Sequence, residues 1–123
     1  MRVQTANVRT KSVYEPIEQS DGRRVLTTRY WARGIPKSAV GEYLQKLGPS
    51  RELLHAFKRG EIDWAAYKTF YLEEMQSEEA RSEIHRLAQV AQDETITLMC
   101  VCKDERMCHR TLLRDLILNA DES

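Results

Sequence analysis

The stretch ETITLMCVC, residues 94–102, constrains the fold more than any other segment of this chain. As an extended strand it would carry apolar or sulfur-bearing side chains on one face, namely Ile96, Leu98, Cys100 and Cys102. The other face would carry Thr97, Met99 and Val101. A strand that is largely apolar on both faces is typical of a parallel sheet covered on both sides. The stretch therefore predicts an interior strand of such a sheet.

Two further strands are predicted before it. Val3 alternates with polar neighbours, which favours a short strand over residues 2–9. The segment RVLTTRY, residues 24–30, is rich in β-branched and aromatic residues and favours a second strand. The turn-forming pair Asp21-Gly22 lies between the two.

Helices are predicted between the second and third strands and after the third. Apolar spacing favours a first helix over residues 40–47. Three further helices are expected to follow residues that accept hydrogen bonds from a first helical turn, namely Ser50, Asp63 and Ser77. A last helix is expected to begin near Met107 or Cys108. Strands alternating with about five helices indicate an α/β fold with a small, mainly parallel sheet, and the length favours a single domain over residues 1–123.

Composition and charge exclude several functional classes. The chain has 19 basic and 19 acidic residues, and this zero net charge argues against nucleic acid as a partner. No apolar run approaches the roughly 18 residues of a membrane span, and the first residues contain no apolar signal region. Three cysteines in a chain of this kind are expected to be reduced thiols, which predicts a cytoplasmic location.

The segment MCVCKDERMCHRTLL, residues 99–113, holds all three cysteines and is the first candidate site. Ligands of open α/β sheets bind beyond the carboxyl ends of strands, where helix N-termini direct free N–H groups outward. We expect Cys108 to be a thiol of depressed pKa there, more reactive than Cys100 or Cys102. His109 is a candidate acid or base, and Arg110 can hold a carboxylate or phosphate through two hydrogen bonds.

Two other interpretations fit this segment less well. Cys100 and Arg106 have the spacing used by thiol phosphatases and sulfurtransferases, but no glycine lies between them. A closed zinc site would need all three cysteines and His109, yet residues 108 and 109 diverge by about 100° on a helix. We therefore assign no metal ligand, although a metal-stabilised domain stays an alternative. Cysteines on an interior strand also commonly pack as small apolar residues.

A second group of candidate residues lies where the second predicted strand ends. Its members are Arg29, Trp31, Arg33 and Lys37. Because parallel strands end at one edge of a sheet, this group should border the same electropositive cleft as His109 and Arg110. Trp31 would form an apolar or stacking wall, so the cleft suits a small anion that bears a ring. In the alternative interpretation the arginines neutralise nearby carboxylates and Trp31 belongs to the core.

Three blocks of the sequence resemble a known family. They are DGRRVLTTRYWARGIPK, LGPSRELLHAF and TLMCVCKDERMCHRTLL. In this order they are similar to domain-of-unknown-function family 488, which includes the YeaO-like proteins. The resemblance implies a compact α/β domain, and it implies no reaction because none is assigned to the family.

The resemblance also identifies motif residues by position. They are Asp21, Gly22, Arg24, Arg29, Trp31, Arg33, Gly34, Lys37, Ser50, Cys108, His109 and Arg110. Ala32 departs from the family pattern, in which many members have proline. In the YeaO-like branch the cysteine before the histidine is often replaced. A role shared by the whole family therefore does not depend on Cys108.

Together these observations predict a small cytoplasmic α/β domain that binds an anionic small molecule in a cleft of Arg, His and Cys residues. An interaction module without chemistry, binding protein or nucleic acid, is the alternative from another functional class. The residues identify no cofactor, no oligomeric state and no specific reaction.

Overall fold

A computed structural model describes residues 7–102 and 107–120. One sheet is formed by four strands, β1 (Val8–Ser12), β2 (Arg23–Leu26), β3 (Glu42–Tyr43) and β4 (Ile96–Cys100). Their order is β1-β4-β2-β3, and every neighbouring pair is parallel. The described α-helices are α1 (Arg51–Lys58), α2 (Trp64–Glu74), α3 (Glu78–Asp93) and α4 (His109–Asn119). The predicted α/β fold is confirmed, with four described α-helices instead of about five.

β4 is an interior strand that is covered on both faces, as predicted. All five of its residues are buried. Ile96 and Leu98 belong to the main core, which the helices share. Met99 points to the other face, where it packs with Leu26 in a smaller core. The alternation read from the sequence therefore separates two cores.

Three helices begin where the sequence predicts. The side chains of Ser50, Asp63 and Ser77 each accept a hydrogen bond from the backbone N–H three residues later, at 3.2, 2.9 and 3.2 Å. These bonds satisfy N–H groups that have no partner inside the helix.

The predicted helix over residues 40–47 is wrong. This segment contains β3, followed by a 3₁₀ turn over Gln45–Leu47. The backbone N–H of Gly41 donates to Arg24 O at 2.8 Å, and that of Leu44 donates to Leu26 O at 2.9 Å. A helix of this length is only marginally stable in water. The hydrogen bonds to the free edge of β2 therefore favour the strand over the helix.

The first two strands differ from the prediction in their boundaries. β1 runs to Ser12, and residues 2–6 of the predicted strand lie outside the described residues. β2 ends at Leu26, well before Tyr30. After a last bond from Thr27 N–H to Met99 O, at 3.0 Å, the chain leaves the sheet and forms the loop that lines the site.

None of the helices in the described part of the chain is long and apolar enough to cross a membrane.

Candidate functional site

A cavity of about 420 Å³ lies at the carboxyl ends of β2 and β4. Its lining combines residues 28–33, after β2, with the end of β4 and the beginning of α4. Helices α1 and α2 contribute further lining residues, namely Leu54, Phe57, Lys58 and Tyr67. Two segments that are distant in the sequence therefore meet at one edge of the sheet, as parallel strands require.

The lining is positively charged and rich in aromatic rings. Arg29, Arg33 and Lys58 line the cavity, and none of the described lining residues is Asp or Glu. Tyr14 and Trp31 are among its aromatic residues. The cavity therefore combines positive charge with apolar surface.

The loop after β2 is held in place by hydrogen bonds. Arg29 Nε donates to Pro49 O at 3.0 Å, while Arg29 O accepts from Tyr43 Oη at 3.1 Å and from Gln45 Nε2 at 2.6 Å. Trp31 is 38% exposed, and its ring packs edge-on against Tyr43 with centroids 5.3 Å apart. The guanidinium and indole groups are thus presented by a loop that is bonded at several points.

The structure brings together only part of the predicted site. Arg29, Trp31, Arg33 and His109 line the cavity. Lys37 lies in an exposed 3₁₀ turn and is absent from the described lining. The prediction that Lys37 borders the cleft is therefore wrong. No sequence signal pointed to Lys58, because its contribution depends on how α1 packs.

The three cysteines converge beside the cavity. Their Sγ atoms all lie within 4.8 Å of one another, and those of Cys100 and Cys108 are 2.7 Å apart. Cys100 and Cys102 line the cavity, whereas Cys108 is buried and absent from the described lining. The interpretation of Cys100 as a buried residue is confirmed. The sequence does not predict that the three sulfur atoms converge, because Cys108 reaches the other two only where the chain returns at the start of α4.

Arg110 faces this thiol cluster. The prediction that Arg110 borders the cleft is therefore wrong. The side chain is 3% exposed, and Nη1 donates to Cys100 Sγ at 3.2 Å and to Cys102 O at 2.9 Å. Arg110 is absent from the described lining of the cavity. Its guanidinium therefore supplies one hydrogen bond and positive charge to the Cys100 sulfur.

The predicted depressed pKa at Cys108 is wrong. Cys108 does precede α4, but its thiol is 1% exposed, and hydrogen bonding with Cys100 and Cys102 raises its pKa. Hydrogen bonding with the Cys100 and Cys108 thiols lowers the pKa of the half-buried Cys102 thiol. The accessible thiol that ionises most readily is therefore Cys102, which the sequence did not single out.

His109 is a buried neutral imidazole. Its ring is 4% exposed, and burial lowers its pKa. Nε2 lies 2.6 Å from Thr27 O, and since a carbonyl only accepts, Nε2 carries the proton. Nδ1 is then an acceptor, 3.9 Å from Cys108 Sγ. The predicted acid or base thus has its free nitrogen directed toward a thiol.

We expect iodoacetamide to alkylate Cys102 at least about tenfold faster than Cys100 or Cys108 near pH 7, with a chelator present. Cys102 is the only partly exposed member of the cluster, whereas Cys100 is fully buried. Timed labelling followed by peptide mass spectrometry measures the three rates, and urea-unfolded protein, in which they should be similar, is the control. Preferential labelling of Cys108 would contradict the assignment.

Several motif residues lie away from the cavity and serve the fold. Asp21 and Gly22 precede β2, at the opposite end of that strand from the cavity loop. Asp21 is 1% exposed and forms ion pairs with Lys11 and Arg24. Gly22 has φ 62°, and a Cβ there would lie 2.2 Å from Thr95 O. Arg106, of the phosphatase-like spacing, lies outside the described residues.

Comparison with known proteins shows the family. The DUF488-N3a model, described as the active DUF488-N3 subclade, matches residues 8–121. The uncharacterised protein YeaO of Escherichia coli strain K12 is 38% identical over 89% of this chain and 95% of its own length. The uncharacterised protein Mb3100c of Mycobacterium bovis is 33% identical over 69% of this chain and 74% of its own. No solved structure gives a significant match. The chain therefore belongs to the DUF488-N3a family, among the YeaO-like proteins of domain-of-unknown-function family 488.

Proposed function

We propose that this protein binds a small organic anion in the cavity at the carboxyl ends of β2 and β4. The observation that carries the proposal is the charge of the lining. Arg29, Arg33 and Lys58 line the cavity, and no Asp or Glu occurs among the described lining residues, although the whole chain has equal numbers of acidic and basic residues. Three cations against one readily ionised thiol, Cys102, leave the described wall net positive, and a concave site of this kind concentrates ligands of the opposite sign.

The size and walls of the cavity favour an anion with a ring or another apolar part. A volume of about 420 Å³ falls in the range of small-molecule sites. The anionic group would bind beside Arg29 and Arg33, while Trp31 and Phe57 would contact the apolar part. Phosphorylated or carboxylated aromatic metabolites have this chemistry, and we propose the cytoplasm, where thiols stay reduced, as the location.

The proposal is limited to binding because of where the predicted catalytic residues lie. Cys108 is buried and absent from the described lining. His109 lines the cavity, but its Nε2 is engaged by Thr27 O and its Nδ1 faces Cys108. Neither group has a free atom directed to a bound ligand in this arrangement.

We expect Arg29→Gln and Arg33→Gln each to weaken the binding of phenyl phosphate about tenfold, because each removes a charge-assisted hydrogen bond. Isothermal titration measures the affinity. Phenol has the same ring without the charge and should bind wild-type protein far more weakly. Arg81→Gln removes an equal charge from the exposed surface of α3 and is the matched control.

Equal affinity for phenol and phenyl phosphate would contradict an anion site. An equal loss in all three variants would show that net charge, and not the cavity, determines binding.

A further inference from the structure

We propose that Cys100, Cys102 and Cys108 form a binding site for one thiophilic divalent cation of the Zn²⁺ class, held through their three Sγ atoms. The convergence of these atoms within 4.8 Å of one another is the primary observation. The inference goes beyond the proposed anion binding and does not depend on it.

The spacing of the sulfur atoms fits a tetrahedral ion after a small adjustment. A Zn–S distance of about 2.3 Å and tetrahedral angles place two sulfur ligands about 3.8 Å apart. The three Sγ atoms already lie within 4.8 Å of one another. The Cys100 and Cys108 sulfur atoms, which are 2.7 Å apart, must separate by about 1 Å to reach that spacing.

Hydrogen bonds to sulfur are the second observation. Cys100 Sγ accepts from the backbone N–H of Cys102 at 3.3 Å and from Arg110 Nη1 at 3.2 Å. Outer-shell donors of this kind orient metal-bound ligands and tune them, and their loss typically lowers metal affinity 10- to 100-fold. A cluster of buried thiols that packed only as apolar residues would not require a buried guanidinium as a donor.

The charges also balance. Three thiolates and one divalent cation have a net charge of −1, and the guanidinium of Arg110 beside Cys100 offsets it. On binding, three S–metal bonds form and each thiol that was still protonated releases its proton to solvent. No change of oxidation state is involved.

The site has the features of an open metal centre. His109 is outside the group of converging ligand atoms, so the described residues supply three ligands. Three protein ligands and a remaining position are the pattern of zinc sites that bind water or a substrate. Cys100 and Cys102 also line the cavity, so the ion would be reached from there.

Cobalt titration of the full-length protein tests the site. Reduced protein is treated with a chelator, desalted and titrated with Co²⁺ without oxygen. We expect a near-ultraviolet thiolate-to-cobalt absorption band that saturates at one equivalent and disappears when Zn²⁺ is added. Cys102→Ser should weaken Co²⁺ binding at least about tenfold and leave a fainter band. His85→Ala, which removes an exposed imidazole on α3, should change neither.

A second measurement on the wild-type protein does not depend on the folding of a variant. One equivalent of Zn²⁺ should slow the alkylation of Cys102 at least about tenfold, whereas Mg²⁺, which prefers oxygen ligands, should not. Absence of a charge-transfer band together with unchanged alkylation would overturn the proposal. Neither measurement contains an organic anion, so failure here is distinguishable from failure of the phenyl phosphate assay.

Discussion

Replacing Asp21 with asparagine is expected to lower the free energy of unfolding by about 3–5 kcal/mol, the usual result of removing one member of a buried ion pair. Asp21 is 1% exposed. Its carboxylate accepts from Lys11 Nζ at 2.9 Å, from the Glu18 backbone N–H at 3.1 Å, and from Arg24 Nη1. Both cations are themselves buried, so the amide would remove the carboxylate that pairs with Arg24 and leave Lys11 paired only with the exposed Glu18.

The same carboxylate makes stability depend on pH in a defined direction. Burial alone would raise the pKa of Asp21, but the bonds from Glu18 N–H, Lys11 and Arg24 lower it below its ordinary value. Protonation therefore favours the unfolded state. The stabilisation is present above about pH 4, the ordinary carboxyl range, and is lost as the pH falls through the lower pKa of the folded state. The asparagine variant should lack this component of the acid transition.

Glu18→Gln is the matched control, because it makes the same change in a second carboxylate that binds Lys11. The Glu18 side chain is 57% exposed, so we expect a loss below about 1 kcal/mol. Urea unfolding at pH 7 compares the variants, and a series down to pH 3 gives the acid dependence. Equal free energies of unfolding for the two variants would show that burial of the Asp21 carboxylate does not determine how much it stabilises the protein.

Features of the fold that depend on neighbouring residues could be predicted from the sequence. Ser50, Asp63 and Ser77 each accept a hydrogen bond from an N–H three residues later, so residues close in the sequence determine where these helices begin. The segment 40–47 is different, since apolar spacing there fits a helix as well as a short strand plus a 3₁₀ turn. Its structure is decided by the free edge of β2, a distant segment that local pattern does not describe.

The site divides in the same way. Parallel strands end at one edge of a sheet, and by this rule the sequence predicts that Arg29 and His109 lie near one another, as the lining of the cavity has them. It could not identify Lys58, which reaches the cavity only through the packing of α1. The sequence also favoured Cys108 over Cys102 as the reactive thiol, because the exposure of each depends on the path of the chain back to α4, which local pattern does not describe. The position of a residue along a strand predicts the edge of the sheet at which it lies. How deeply its side chain is buried depends on the tertiary structure.

The close approach of Gly48 to the cavity loop leads to the second large prediction. A Cβ at Gly48 would lie 2.6 Å from Arg29 N and 2.7 Å from Thr28 C, both backbone atoms that cannot rotate away. Gly48→Ala should therefore destabilise the protein by about 3 kcal/mol, as overpacking does. Because the loop must shift, the 3.0 Å bond from Arg29 Nε to Pro49 O should be lost as well. We expect phenyl phosphate binding to weaken at least about tenfold, even at temperatures where the variant is fully folded.

Gly60→Ala separates the steric effect from the general cost of replacing a glycine. Gly60 has φ 74° and open space around its Cβ position, so alanine there should cost about 1 kcal/mol through backbone strain. It does not line the cavity, and binding should be unchanged. Urea unfolding and isothermal titration compare the two variants. If Gly48→Ala were no less stable than Gly60→Ala and bound phenyl phosphate normally, contact between Gly48 and residues 28–29 would not be what positions Arg29, and the cavity would need another support.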